Sequence, residues 1–238
     1  MPRYLSLEWP DEAPFRDRDG APIRILAVSD EFDPVLQDLR NRKSLGKIDL
    51  VLGCGDLAAD DLSFIVDLVN APLIYVRGNH DGGEKWVRDS AFLPSTIEST
   101  RAVHESGLTV VRLTWPGHKG KGAMRNEGLA WKQAVKLAIR RLGRDEPMIV
   151  ISHVPPLGVG DIPTTGYHRG FHGYRWLLDR VRPRLWLHGH TPLAACRDWL
   201  LTYQDTTLAN VTGAVVIELH PPGTPGLPKT NRNGHRSG

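Results

Sequence analysis

No stretch of this chain approaches the ~20 consecutive apolar residues that a membrane-spanning helix needs. The first twenty residues, rich in Asp, Glu, Arg and Pro, hold no apolar run of signal-peptide length. Both absences point to a cytoplasmic protein with no membrane partner. Cysteine is scarce: Cys54 and Cys196 form no CxxC pair and sit beside apolar or glycine positions, which fits two reduced thiols. Charge is nearly balanced, and the net +3 is spread along the chain, so it is weak evidence for a nucleic-acid partner, which is not expected. No glycine-rich phosphate loop ending in Gly-Lys-Ser/Thr exists, which removes the P-loop nucleotide hydrolases. Ser152 and His153 are adjacent on a strand end, so they point opposite ways and form no nucleophilic dyad.

What is present is an alternation of two periodicities. Short β-rich apolar runs fall at 23–28, 48–52, 73–76, 108–113, 148–151 and 185–187. A last pair, 206–211 and 214–219, is separated by Thr212-Gly213 and predicts a hairpin. Amphipathic helical segments fit 34–45, 60–69, 129–142 and 173–181. Asp33-Pro34 makes a capped helix start, and Gly46 and Gly143 make plausible stops. Apolar runs alternating with helices predict an α/β sandwich around a buried mixed sheet. The expected organisation is an irregular lead-in over 1–21, one domain over 22–220 and a disordered tail over 221–238. Two long loops, 114–128 and 155–171, are the places to look for function.

The chemistry sits where the strands stop. Five apolar runs hand over to Asp, Asn or His: Ser29-Asp30, Gly55-Asp56, Gly78-Asn79-His80-Asp81, Ser152-His153 and Gly189-His190. In α/β sheets such strand ends meet at the ligand crevice. Carboxylate, amide and imidazole together suit a divalent metal of borderline softness: Mn, Fe, Zn, Co or Ni. Any one of these residues alone reads as a turn or cap residue; the joint pattern carries the reading.

In order and spacing these pieces resemble the calcineurin-like metallophosphoesterases, whose motifs run Asp-x-His, Gly-Asp, Gly-Asn-His-Asp/Glu, a lone His, and Gly-His-x-His. The resemblance covers residues 23–219 and implies a four-layer α/β/β/α sandwich with two mixed β-sheets. It implies hydrolysis of a phosphate mono- or diester by a metal-activated water. Asp56 resembles the carboxylate that bridges two metals. Asn79, His153 and His190 resemble the remaining ligands of the second metal position, and Asp30 a ligand of the first. His80 resembles the residue that touches the phosphoryl or leaving oxygen, with Asp81 orienting it.

Two family histidines are missing. Phe32 replaces the His of Asp-x-His, and Pro192 replaces the last His of Gly-His-x-His. Both belong to the first metal position, so the second is better preserved, and one or two ions are expected. Glu31, Asp33, His168 or His172 are candidate replacements. The segment 158–172 resembles that of bacterial members whose first motif lacks the histidine. Arg77, His168 and Arg169 are candidates to contact a small-molecule phosphoester, the arginines by clamping its free oxygens. Two other readings stay open. One is a scaffold that keeps the fold without the chemistry. The other is a metal-dependent nuclease using Lys119, Lys121 and Arg125.

Overall fold

The computed structural model describes residues 2–38, 45–95, 99–117, 124–196 and 198–227. Among the described residues eleven strands build two mixed sheets. The five-stranded sheet has the order β1(Arg3–Glu8), β11(Gly213–His220), β2(Ile23–Ser29), β3(Leu50–Gly53), β4(Leu73–Tyr75). The six-stranded sheet has the order β5(Ala102–Glu105), β6(Leu108–Leu113), β7(Met148–Ser152), β8(Leu185–His188), β10(Thr206–Asn210), β9(Leu200–Tyr203). Within them β2, β3 and β4 run parallel, as do β6, β7, β8 and β10.

Strand periodicity explains the layering. On β2, Ile23, Ile25 and Ala27 face one way and join Leu50, Leu52, Val215 and Ile217 against Val110, Ile149, Ile151, Leu185 and Leu187 of the other sheet. This is the core between the sheets. Leu26 and Val28 point the opposite way and pack with Leu62 and Ile65 of α1(Ala59–Val69) and Trp86 of α2(Gly83–Asp89). Beyond the second sheet, Val111, Val150 and Trp186 pack on Ala130, Ala134 and Leu137 of α3(Glu127–Arg140) and Tyr174, Leu177 and Leu178 of α4(His172–Val181). The result is a four-layer α/β/β/α sandwich. Central strands are covered on both faces, which is why they read as unbroken apolar runs.

Three expectations change. The lead-in over 1–21 contains β1, which pairs in parallel with β11 and buries Leu5, Leu7, Trp9 and Phe15. Its outer face is partly exposed and prolines flank it, so its apolar signal is thin. The 206–219 pair is no hairpin: β10 and β11 lie in different sheets, and Thr212-Gly213 is where the chain crosses between them. The hairpin partner of β10 is β9. Of the helix predicted over 34–45, Pro34–Leu36 is a 3-10 turn capped by the Asp33 carboxylate, and 39–44 lie outside the described residues. Residues 221–227 form turns, and the rest of the predicted tail, 228–238, lies outside the described residues, as do Lys119 and Lys121. Among the described residues no helix is long and apolar enough to cross a membrane.

Candidate metal centre

The parallel strands of both sheets end on the same edge, and their following turns interlock there. Asp30, Asp56 and His190 all adopt left-handed backbone, with φ of 59°, 56° and 65°. Such conformations cost of order 1–3 kcal/mol for a non-glycine residue and cluster at functional sites. Two glycines permit the close packing. A Cβ on Gly78 would collide with the Asp56 carboxylate, and one on Gly189 with Ser29 Oγ and the Asp30 carboxylate. Both are required for that approach and have ordinary φ, whereas Gly55 supplies a true left-handed turn, φ 89°.

Four electron-pair donors converge at the centre of this edge. His153 Nε2 lies 3.0 Å from Asp56 Oδ2, 2.9 Å from Asn79 Oδ1 and 3.2 Å from His190 Nδ1. The ligand atoms of Asp56, His153 and His190 all fall within 4.8 Å of one another. The remote nitrogen of each imidazole faces a carbonyl, which can only accept. His153 Nδ1–H donates to Cys54 O at 2.9 Å, and His190 Nε2–H to Tyr167 O at 2.8 Å. Each inner nitrogen therefore carries a lone pair in the neutral ring, aimed at the cluster. One anion, one amide oxygen and two imidazole lone pairs suit a borderline divalent cation.

Burial sets the electrostatics. It would raise Asp56, but the hydrogen bond and charge of His153, together with the His80 N–H, hold this carboxyl below its usual range. Burial would lower His153, yet Asp56 outweighs it and the ring sits above its ordinary value. His190 is pushed down to about 3 by burial, with His153 adding to the effect. His188, the preceding histidine, is buried and pushed down to about 4 by desolvation, and its Nδ1 donates to Gly189 O. It is a neutral packing residue.

The sequence profile of the family described as calcineurin-like phosphoesterase matches residues 24–194, most of the chain. The chain belongs to the calcineurin-like phosphoesterases. Among curated proteins none matches it in sequence. Among solved structures it is similar to TT1561 of Thermus thermophilus, with 15% identity, TM-score 0.54, and coverage of 81% of this chain and 90% of that one. It is also similar to a Staphylococcus aureus protein provisionally described as a 5'-nucleotidase and solved with alpha-ketoglutarate. There the identity is 14%, the TM-score 0.54, and the coverage 82% of this chain and 51% of that one. A dimetal phosphatase from Danio rerio aligns at 11% identity and TM-score 0.49, covering 81% of this chain and 88% of that one. At these identities the likenesses to the Thermus and Staphylococcus structures speak for the fold alone.

Within this calcineurin-like phosphoesterase, the residues that resemble the family's first metal position are differently engaged. The Asp30 carboxylate accepts the His190 backbone N–H at 3.0 Å and the Thr212 hydroxyl at 3.1 Å. It buttresses the turn that carries His190 and stands outside the three-residue cluster. Phe32 packs edge-on against Phe64 at 5.8 Å and joins the apolar layer over the first sheet. Asp33 is spent on the Val35 N–H, Glu31 is exposed, and Pro192 begins a 3-10 turn.

Asp81 does not orient the His80 ring. Its Oδ2 accepts the backbone N–H of Asp56 at 2.7 Å and of Gly78 at 2.8 Å, tying two strand-end turns together. Burial pushes its carboxyl up to about 6, those N–H groups resisting and the Asp56 charge assisting. His80 is exposed; its backbone N–H donates to Asp56 Oδ1 at 2.7 Å, and its Nε2 lies 2.8 Å from the Tyr167 hydroxyl.

The guanidinium of Arg77 lies 4.3 Å over the Trp86 ring, where it packs against the layer over the first sheet. His168 stacks near His190, ring centroids 5.4 Å apart. Arg169 donates to His172 Nε2 at 3.2 Å, and both line a cleft of about 340 Å³ with Arg125 and Phe171. Of two residues that complete the centre, Tyr167 was not singled out by the sequence reading, and Arg125 was named there only for the nuclease reading. Tyr167 supplies its hydroxyl and its carbonyl. Arg125 braces the same loop, donating to Tyr167 O at 3.1 Å and Gly170 O at 3.0 Å. The length of loop 155–171 was the available signal for Tyr167, and the basic cluster on loop 114–128 for Arg125.

Proposed function

We propose that this protein is a metal-dependent hydrolase of a phosphate mono- or diester that works with one tightly held divalent cation on Asp56, Asn79, His153 and His190. The observation that carries this reading is the pair of imidazoles whose remote nitrogens are committed to carbonyls, leaving both lone pairs facing one carboxylate and one amide oxygen. Engagement of Asp30 by His190 N–H and Thr212, and of Phe32 by Phe64, supports a single strong metal position over two. A divalent cation there would acidify a coordinated water and neutralise phosphoryl charge.

The chain's own residues supply the rest. Asp56 is the sole anion of the donor set. His80, anchored through its backbone to that carboxylate and with Nε2 on the Tyr167 hydroxyl, is exposed, and its Nδ1–H can give a proton to the leaving oxygen. Arg169 and the neighbouring cleft offer donors for the non-reacting part of a small-molecule substrate. Two free cysteines, one of them buried, suit a cytoplasmic setting.

The test is elemental analysis of protein purified without chelator, paired with hydrolysis of a chromogenic monoester and diester in Mn, Fe, Zn, Co or Ni. One metal equivalent with turnover supports the proposal. Substituting His80→Ala should keep the metal and lower turnover at least tenfold. No metal and no turnover would leave a scaffold on this fold.

A further inference from the structure

The loop 155–171 arches over the metal cluster, and it is held there from several sides. Asp161 accepts the N–H groups of Gly158 at 2.8 Å and Gly170 at 2.7 Å, Phe171 N donates to Pro155 O at 3.3 Å, and Arg125 grips two of its carbonyls. At its crest Tyr167 is 45% exposed, so its hydroxyl contributes little to packing. Yet that hydroxyl has two specific partners. Asn79 Nδ2 donates to it at 2.8 Å, and His80 Nε2 lies 2.8 Å from it. Both come from the Gly-Asn-His-Asp turn, and both belong to the proposed chemistry.

A phenol carries one proton. When Nε2 is the unprotonated nitrogen of the His80 ring, that proton goes to it, and the oxygen can then only accept from Asn79. Only one orientation of the Asn79 amide satisfies this: Nδ2 outward to Tyr167, Oδ1 inward to the cluster, where it lies 2.9 Å from His153 Nε2. The reversed amide would aim an N–H at the metal position and withdraw a ligand. From this hydrogen-bond relay we infer that Tyr167 is a positioning residue: its hydroxyl holds Asn79 in the metal-ligating orientation and His80 at its working place. The inference rests on the metal-centre reading above and adds to it a residue outside the family motifs.

Metal affinity tests it without any substrate. Tyr167→Phe keeps the ring, which packs beside His168 and His190, and keeps the carbonyl that accepts from His190. Removing a partner that orients a ligand weakens metal binding about 10–100-fold. Titration with Mn against a competing chelator should show a loss of that size, with the thermal midpoint of the metal-free protein unchanged. The Asn79→Asp background supplies the decisive control. A carboxylate presents oxygen at either end, so Tyr167→Phe should cost less than about 3-fold there. Equal losses in both backgrounds, or a Tyr167→Phe affinity within twofold of the wild type, would overturn the inference. A wild type that binds no divalent metal would sink the metal centre and this inference together. A wild type that binds metal and hydrolyses no ester would refute the proposed function alone, with Tyr167 still judged on its affinities.

Discussion

Neutralising the one anion in the donor set should abolish the metal's effect on stability while leaving the fold standing. In Asp56→Asn the side chain keeps its shape and an oxygen to accept the His80 N–H, now 2.7 Å away. A charge-assisted bond becomes a neutral one, and the His153 contact at 3.0 Å loses its charge. Together these changes cost about 1–3 kcal/mol in the metal-free protein. The metal readout is larger. At free metal one hundred times the dissociation constant, binding stabilises the native state by about 2.7 kcal/mol. For a chain of this length that raises the melting temperature by roughly 5–10 °C. Loss of the sole charged ligand should weaken binding more than the ~100-fold at the top of the range for outer partners. At the same metal concentration the stabilisation then falls to about 0.4 kcal/mol or less, a shift below roughly 2 °C. Thermal melts of both proteins with and without Mn measure this directly. If Asp56→Asn shows the wild-type increment, Asp56 is not a ligand and the cluster does not hold the ion.

Asp81 offers a second check. Asp81→Ala strips two N–H groups of their acceptor and should cost about 2–5 kcal/mol in denaturant unfolding, whereas Asp81→Asn, with an oxygen still in place, should cost far less. A large turnover defect in a stable Asp81→Asn protein would restore the role of orienting His80. Trp9, 1% exposed, lies just past β1; Trp9→Ala should lose about 3–5 kcal/mol, and a loss under about 1 kcal/mol would make residues 1–21 dispensable to the fold. Phe32→His should forfeit about 0.5–1.5 kcal/mol of ring contact with Phe64 and leave metal stoichiometry at one, because the Asp30 carboxylate remains on His190 N–H and Thr212. Two tightly bound equivalents in that variant would contradict the reason given for a single site.

The sequence by itself determined the layered α/β architecture and the order of the donors. Parallel strands buried on both faces leave a local signature, an apolar run of three to six residues. Each donor follows such a run within four residues, as Asp56 follows β3 and His153 follows β7. Strand β1 escaped because an edge strand buries only Leu5 and Leu7 and lies between prolines. The crossing at Thr212-Gly213 escaped because a turn of that composition serves a hairpin or a change of sheet equally well.

What each polar group does at the centre was decided by the tertiary structure alone. Asp30 and Asp81 meet backbone N–H groups of His190 and Asp56, and His153 and His190 meet the carbonyls of Cys54 and Tyr167. Every residue except proline carries the same N–H, and every residue the same C=O, so such partners leave no mark in residue type or spacing. The Tyr167 hydroxyl reaches Asn79 from 88 positions away. Only the packing of the two sheets face to face brings that loop over the turn it serves.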